Sequence, residues 1–344
     1  MNSSKLTKLF CRPDMRSGKG LGHVMRLSAL AQLASKSFSC VLVLSSDALE
    51  PERLEVEGYF DEVLLIPPDL PMLQEADWLC STIPSRSILA LDGYCFSIEY
   101  QEHFRSHGIP VVYIDDFASG HYCADLVLNH APGAERLSFS HEAHTQLCLG
   151  ASYRLVRRDF VPRGAAVKGG SSSLVICFGG TDPVNLIQKS LSAAERANFS
   201  EIHVVLASDR RQDNSYSFLN RRAIVHTALG AKELALLFQQ STAAVLSAST
   251  IALEAASVGL PFATGYFVDN QSIIYEGLTS AGAALPLGWL KECSEDNLTT
   301  QFKKLRGTQV QRRMVSTQRE LFQEHRVHPL LSQLSTLASR EVRL

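Results

Sequence analysis

The chain has 344 residues, 45% hydrophobic and 20% charged, with a formal net charge of −2. At roughly 100–200 residues per domain this is two globular domains, each able to bury a core. The near-neutral balance without a long basic run excludes a general nucleic-acid binder, and no apolar run approaches the ~20 residues of a membrane span. From the amino end, an apolar run over 6–11 reads as a strand, and Val24, Leu27, Ala31 and Ala34 share one face of a helix. Between them lies a turn carrying Arg12, Asp14, Gly18, Gly20, Gly22 and His23. Glycine permits a tight backbone and close approach of a ligand, and the helix start points free N–H groups into the turn. His23 adds a group that exchanges a proton near neutral pH. A helix N-terminus by itself lowers the pKa of such a histidine. The same residues also suit an ordinary first βα turn whose histidine caps a helix. The glycine spacing does not make the dinucleotide fingerprint.

Further strands are expected over 41–44, 63–66, 88–91, 111–114 and 126–128, with helical patterns between them. Continuous apolar strands separated by helices mean a parallel sheet covered on both faces. Ligands bind such sheets at the carboxyl ends of the strands. Asp92, Gly93 and Tyr94 follow one strand there, and Asp115 and Asp116 the next. Each alone is equally a cap or turn residue.

Composition shifts over 154–173, where Arg154, Arg157, Arg158, Arg163 and Lys168 precede Gly169, Gly170 and three serines. This reads as a linker. The α/β alternation then restarts, with strands at 174–178, 202–206, 223–225 and 243–246 and helices at 232–239, 251–258 and from about 294 onward. We therefore expect a first domain over 1–160, a linker over 161–173, a second domain over 174–325 and a terminal helix over 326–344. In the second domain Gly179, Gly180 and Thr181 lie at one strand end. Ser249 and Thr250 open a helix, where hydroxyls and N–H groups suit a phosphate. Glu254 lies one turn further, able to accept hydrogen bonds from sugar hydroxyls. Asp269, Asn270 and Gln271 open another helix and equally suit plain capping.

The eight cysteines form no Cys-x-x-Cys pair and fit free thiols in a reducing compartment. His141 with His144, and His325 with His328, have pairable spacing but no evident third ligand and read as surface histidines; neither they nor the cysteines suggest a zinc site, and no metal is expected. The start, Met1 to Lys5, lacks the apolar core of a signal peptide, and a cytoplasmic protein is expected.

Taken together, several of these motifs resemble one family. They are Gly20-Leu21-Gly22-His23 after Arg12 and Asp14; Asp92-Gly93-Tyr94; Ile114-Asp115-Asp116; Leu149-Gly150 with Tyr153, Leu155, Arg157 and Phe160; 178–183; Glu254 with Gly259-Leu260-Pro261; and Asp269-Asn270-Gln271. In this order, over about 8–285, they resemble the UDP-2,4-diacetamido-2,4,6-trideoxy-β-L-altropyranose hydrolases of the pseudaminic acid pathway, relatives of two-Rossmann glycosyltransferases. The resemblance implies a GT-B fold, two Rossmann-like domains whose parallel sheets face across a cleft. It implies a UDP-sugar substrate, attack by water at the anomeric carbon with inversion, and no cofactor or metal. His23, Tyr94 and Asn270 match catalytic positions. Arg12, Asp14, Gly20, Gly22, Asp92, Gly180, Thr181, Ser249, Thr250, Glu254, Asp269 and Gln271 match substrate-binding ones, Glu254 on the nucleotide side. The chain departs from the pattern where Ser247 and Ala248 stand in place of two glycines. Positive φ at those positions would cost roughly 1–2 kcal/mol each.

The alternatives are a glycosyltransferase using a hydroxyl acceptor and a non-catalytic nucleotide-sugar binding subunit. Fold alone does not separate them. No membrane-docking patch is evident in the first domain. Residue types set neither the oligomeric state nor the sugar.

Overall fold

The computed structural model describes residues 6–15, 21–46, 58–161, 172–179, 185–206, 222–323 and 328–339. The chain divides into two units, Met1–Arg158 with Glu324–Leu344, and Asp159–Gln323. The first runs β1 (Thr7–Pro13), α1 (Leu21–Ala34), β2 (Phe38–Ser45), β3 (Glu62–Ile66), α2 (Met72–Thr82), β4 (Ile88–Asp92), α3 (Ile98–Ser106), β5 (Val111–Ile114), β6 (His121–Tyr122), β7 (Leu126–Asn129), β8 (Ser140–His141) and β9 (Gln146–Leu149). Seven of these strands form one sheet in the order β3-β2-β1-β4-β5-β7-β9, every neighbour parallel, and β6 pairs with β8.

The central strands are apolar without alternation because both faces are covered. Successive side chains of β1 go to opposite faces. Leu9 and Cys11 join Leu27, Leu30 and Ala31 of α1 in one core. Phe10 joins Leu79 of α2 and Tyr100 and Phe104 of α3 in the other. The Ser97 side chain caps α3 by accepting a hydrogen bond from Tyr100 N.

The second unit runs β10 (Ser173–Cys177), α4 (Leu186–Arg196), β11 (Glu201–Leu206), β12 (Ile224–Thr227), α5 (Ala231–Gln240), β13 (Ala243–Ser247), α6 (Thr250–Ser257), β14 (Phe262–Tyr266), α7 (Ser272–Ser280), β15 (Leu285–Trp289), α8 (Glu295–Leu305) and α9 (Thr308–Leu321). Its sheet, β12-β11-β10-β13-β14-β15, is also parallel throughout. The chain then returns to the first unit as α10 (Pro329–Ser339), whose Leu330, Leu334 and Leu337 are buried in the α1 core. Burying each is worth roughly 1.5–3 kcal/mol of transfer free energy, so the terminal helix is part of that core. Most of the expected linker, 162–171, lies outside the described residues.

Each sheet grows outward in both directions from one point, between β1 and β4 in the first unit and between β10 and β13 in the second. Loops leaving adjacent strand ends part there, opening a crevice outside the carboxyl edge. No described helix is long and apolar enough to cross a membrane.

Candidate functional site

The first unit's switch point is built by register. Parallel pairing of β1 with β4 sets Pro13 opposite Asp92, and Asp14 N donates to Asp92 O at 2.8 Å. Gly93 follows at φ +148, where a Cβ would lie 2.1 Å from Asp14 Cβ. Only glycine lets the two loops pass so closely. Asp92 thus ends β4 directly beside the turn leading to α1, whose third residue is His23.

His23 Nδ1 lies 2.7 Å from Asp92 Oδ1. Arg26, one turn further along α1, donates Nε to Asp92 Oδ2 at 2.8 Å and Nη2 to Asp92 Oδ1 at 2.5 Å. The same guanidinium bonds Asp116, through Nη1 to Oδ1 and through Nη2 to Oδ2. Tyr94 donates its hydroxyl to Asp116 Oδ2 at 2.7 Å. The His23 ring meets Tyr94 edge to face, centroids 5.2 Å apart, and Tyr94 in turn packs on Phe117. Asp92 and Arg26 are buried, whereas Tyr94 is 47% and Phe117 41% exposed. The arrangement is a buried, hydrogen-bonded charged floor under a half-buried imidazole with an aromatic rim.

Electrostatics follow from two carboxylates around one guanidinium. Burial works against the Asp92 charge, but Arg26 and then His23 overcome it and hold the carboxyl down at about 2. Burial likewise opposes a charged His23, yet the Asp92 carboxylate prevails and raises the imidazole above its ordinary value. The lowering expected from the helix N-terminus is therefore overridden. A full charge in hydrogen-bond contact outweighs the half charge of a helix end. With Asp92 ionised, Nδ1 is the donor, and neutral His23 presents its lone pair at Nε2. His130 is buried in the same unit and is pushed down to about 4, by desolvation first and then by Arg26. It stays neutral.

Other expected residues take different surroundings. Arg12 is 1% exposed and pairs bidentately with Glu75, Nε to Oε1 at 2.8 Å and Nη2 to Oε2 at 3.0 Å. Tyr100 also donates to Glu75 Oε1 at 2.8 Å, so this trio ties β1 to α2 and α3. Asp115 accepts from Phe117 N, Ala118 N, Tyr122 Oη and Asn129 Nδ2, which shapes the loop presenting Asp116 and Phe117. Gly22 is exposed, with nothing within 4 Å of an added Cβ. Gly20 lies outside the described residues. Sequence reasoning passed over Arg26, whose only signal is its i+3 spacing from His23, which sets both on one face of α1.

In the second unit the β10–β13 switch point carries Ser247, Ala248, Ser249 and Thr250. Ser247 Oγ donates to Phe178 O at 3.4 Å and lies 3.3 Å from Ser249 Oγ. Ser249 precedes α6 in extended conformation, φ −134, and none of the four residues has positive φ. The strain expected for Ser247 and Ala248 does not arise. Glu254 is 2% exposed on α6. Asp269 is exposed, Asn270 half-buried, and Gln271 Oε1 accepts from Phe267 N at 3.1 Å. These three form a short 3-10 turn leading into α7. Gly180 and Thr181 lie outside the described residues. Of the paired histidines, His141 is exposed, His144 Nε2 lies 2.9 Å from Cys123 O, and His328 Nε2 lies 3.1 Å from Arg154 O. None of the eight cysteines is in a disulfide, and six of them are buried.

No family model matches the chain. The chain is similar to the UDP-2,4-diacetamido-2,4,6-trideoxy-β-L-altropyranose hydrolase of Campylobacter jejuni, 23% identical over 284 residues, covering 80% of this chain and 97% of that protein. It is also similar to the spore coat polysaccharide biosynthesis protein SpsG of Bacillus subtilis, 20% identical over 297 residues, covering 83% of this chain and 85% of that protein. The spinosyn rhamnosyltransferase SpnG complexed with thymidine diphosphate matches with a TM-score of 0.66 at 14% identity, covering 92% of this chain and 95% of that one. The resemblance carried by the motifs is thus met again in similarity over four fifths of the chain. The fold is GT-B, two Rossmann-like α/β units with parallel sheets.

Proposed function

We propose that this protein hydrolyses a UDP-activated diacetamido-trideoxy sugar at its anomeric carbon, releasing UDP and the free sugar for nonulosonic acid synthesis. The observation that carries the reading is the Asp92-oriented His23 at the first unit's switch point. Asp92 keeps Nδ1 protonated, so Nε2 accepts a proton from water as its oxygen attacks the anomeric carbon. The new C–O bond forms on one face. The bond to the diphosphate oxygen breaks on the other, and its electron pair leaves with UDP. Attack opposite the leaving group inverts the centre. The proton passes from Nε2 to solvent to reset the base. Asp92 stabilises the imidazolium formed in between, while Arg26 keeps Asp92 ionised and fixed. Tyr94 and Phe117 offer exposed rings for the apolar face of a 6-deoxy sugar.

On the nucleotide side we assign Ser249 and Thr250, at the amino end of α6, to phosphate oxygens and Glu254 to the ribose hydroxyls. Asp269, Asn270 and Gln271 at the amino end of α7, with Gly180 and Thr181, complete the proposed substrate groups, Asn270 on the sugar side. Ser247 and Ala248 lead into Ser249 and Thr250 without positive φ, which supports a usable loop despite the missing glycines. No step calls for a metal or cofactor.

Similarity to a polysaccharide biosynthesis protein and to a glycosyltransferase fold favours a second reading, transfer to a hydroxyl acceptor. Incubating the protein with the UDP-sugar and no acceptor separates the two. Stoichiometric UDP and free sugar support hydrolysis; UDP release only when an acceptor is added overturns it in favour of transfer. Tight UDP binding without turnover in either case leaves a binding subunit.

A further inference from the structure

Two helices of the first unit carry metal-ligand residues at helical spacing that no part of the proposed reaction uses. Asp77 and Cys80 are i and i+3 on α2, and His103 and His107 are i and i+4 on α3 and its carboxyl cap. Each pair shares a helix face. One ligand atom each from Cys80, His103 and His107 lies within 4.8 Å of the others, close enough for side-chain rotation to bring them to the roughly 3.3–3.8 Å separations around a tetrahedral ion with bonds of about 2.0–2.3 Å. His103 Nε2 lies 3.0 Å from Asp77 Oδ1. It is nonetheless buried without a hydrogen bond, since the contact has the distance of one but not the geometry. A buried ring nitrogen left so, facing a carboxylate oxygen beside a thiol, is the disposition of a ligand set. His107 Nδ1 lies 2.8 Å from His103 O. Donating there leaves the Nε2 lone pair free, and such carbonyl contacts orient metal-bound imidazoles. The His103 and His107 rings lie tilted at 34° with centroids 4.7 Å apart.

We propose that Cys80, His103 and His107 form a site for a borderline-soft divalent ion, zinc first, with the exposed Asp77 carboxylate beside His103 turning in as fourth ligand. One thiolate, two imidazoles and a carboxylate are its ordinary donors, whereas calcium and magnesium demand oxygen cages. The carboxyl ends of α2 and α3 lead into the amino ends of β4 and β5, the edge of the sheet opposite His23. The ion therefore clamps α2 to α3 and takes no part at the other edge. A thiol binds as the thiolate, so loading displaces a proton from the Cys80 sulfur.

The test uses the full chain, stripped with chelator and reloaded with Co2+ and, separately, Zn2+. The expected result is one ion per chain, a tetrahedral cobalt spectrum with a sulfur-to-cobalt charge-transfer band, and a higher Tm in zinc. Cys80→Ser is expected to abolish the band. Cys80→Ser and His107→Gln are each expected to weaken zinc by more than the roughly 10–100-fold that loss of an outer-shell partner costs, and to remove the Tm gain. His141→Gln, an exposed histidine elsewhere in the unit, serves as the control and is expected to change neither. Circular dichroism checks that each variant is folded. An octahedral spectrum without the sulfur band overturns the proposal. So does zinc affinity unchanged in the folded Cys80→Ser and His107→Gln variants.

Discussion

His23 and Asp92 meet at 2.7 Å, imidazole Nδ1 to carboxylate Oδ1, although 69 residues separate them in the chain. Adjacent parallel strands bring them together, and Asp92 is locked from behind by Arg26. The contact sets which nitrogen of His23 carries the proton and raises its affinity for a second one.

The first prediction is the pH profile. Because the His23 pKa is raised above 6.5, its neutral, base-competent form grows as pH rises through that higher value. UDP release as kcat/KM is expected to climb along one limb centred above 6.5. Asp92→Asn removes the charge that raises it, so the limb should move to lower pH while the plateau falls. A limb that stays in place in Asp92→Asn would separate Asp92 from the base.

Turnover should depend on His23 without the nucleotide doing so. His23→Ala and His23→Asn are expected to lose turnover by about 10²–10⁴-fold, the usual contribution of a positioned base. UDP affinity should barely change, since the groups assigned to UDP belong to the second unit. UDP release and calorimetric affinity on the same folded variant decide it. Full turnover would end the assignment, and a collapse of UDP binding would make His23 a phosphate ligand.

Glu254→Ala should weaken UDP binding by about 1–3 kcal/mol, the range for losing a charged hydrogen-bond partner. Glu254 is buried on α6, four residues beyond Thr250. Glu254→Gln, which keeps the shape, should lose part of this. Calorimetry giving wild-type UDP affinity for both would remove Glu254 from the nucleotide site.

Asp92 also makes acid stability measurable. Its carboxyl is held at about 2 against an ordinary 3.8. A depressed folded pKa contributes stability that is present above the unfolded value and lost as pH falls through the folded one. About 2 kcal/mol should therefore disappear between roughly pH 4 and pH 2. His23 has the opposite sign: its raised pKa stabilises the fold below 6.5 and ceases to as pH rises through the folded value. Urea unfolding across pH tests both, and Asp92→Asn should flatten the acid slope. An unchanged slope in that variant would place the titration elsewhere.

Arg12 and Glu75 form a buried pair, and breaking it should cost more than replacing it. Glu75→Ala leaves a guanidinium uncompensated in the core and is expected to lose about 3–5 kcal/mol. Joint replacement, Arg12→Met with Glu75→Leu, should recover most of that loss. Chemical denaturation of both variants reads the difference. Equal losses would mean that Arg12 finds another partner or water.

Strands with uninterrupted apolar runs were legible: 88–91 is β4 and 243–246 is β13, each longer by one residue. Of the four strands at the edges of the two large sheets, β3 and β12 were expected, at 63–66 and 223–225, and the other two were not. β15, Leu285–Trp289, contains Pro286 and Gly288 and is mostly half-exposed, so it lacks both the run and the alternation that mark a strand. Likewise β9, Gln146–Leu149, only half-buried apart from Cys148, gives no continuous apolar signal.

The sequence alone determined the α/β class, the doubling of the unit, the family resemblance and the loops holding His23, Tyr94, Glu254 and Asn270. These are local matters of periodicity, turn chemistry and motif. Only the tertiary structure decided what those residues touch. It placed Arg26 between Asp92 and Asp116, gave Arg12 to Glu75, and returned α10 to the first unit's core. It also brought Cys80 of α2 beside His103 and His107 of α3 and its carboxyl cap, which no spacing in the chain connects to it. The reason is physical: parallel strands pair across long stretches of chain, so neighbours in a site come from register and helix packing. The charge beside a group then sets its protonation more strongly than its own helix does.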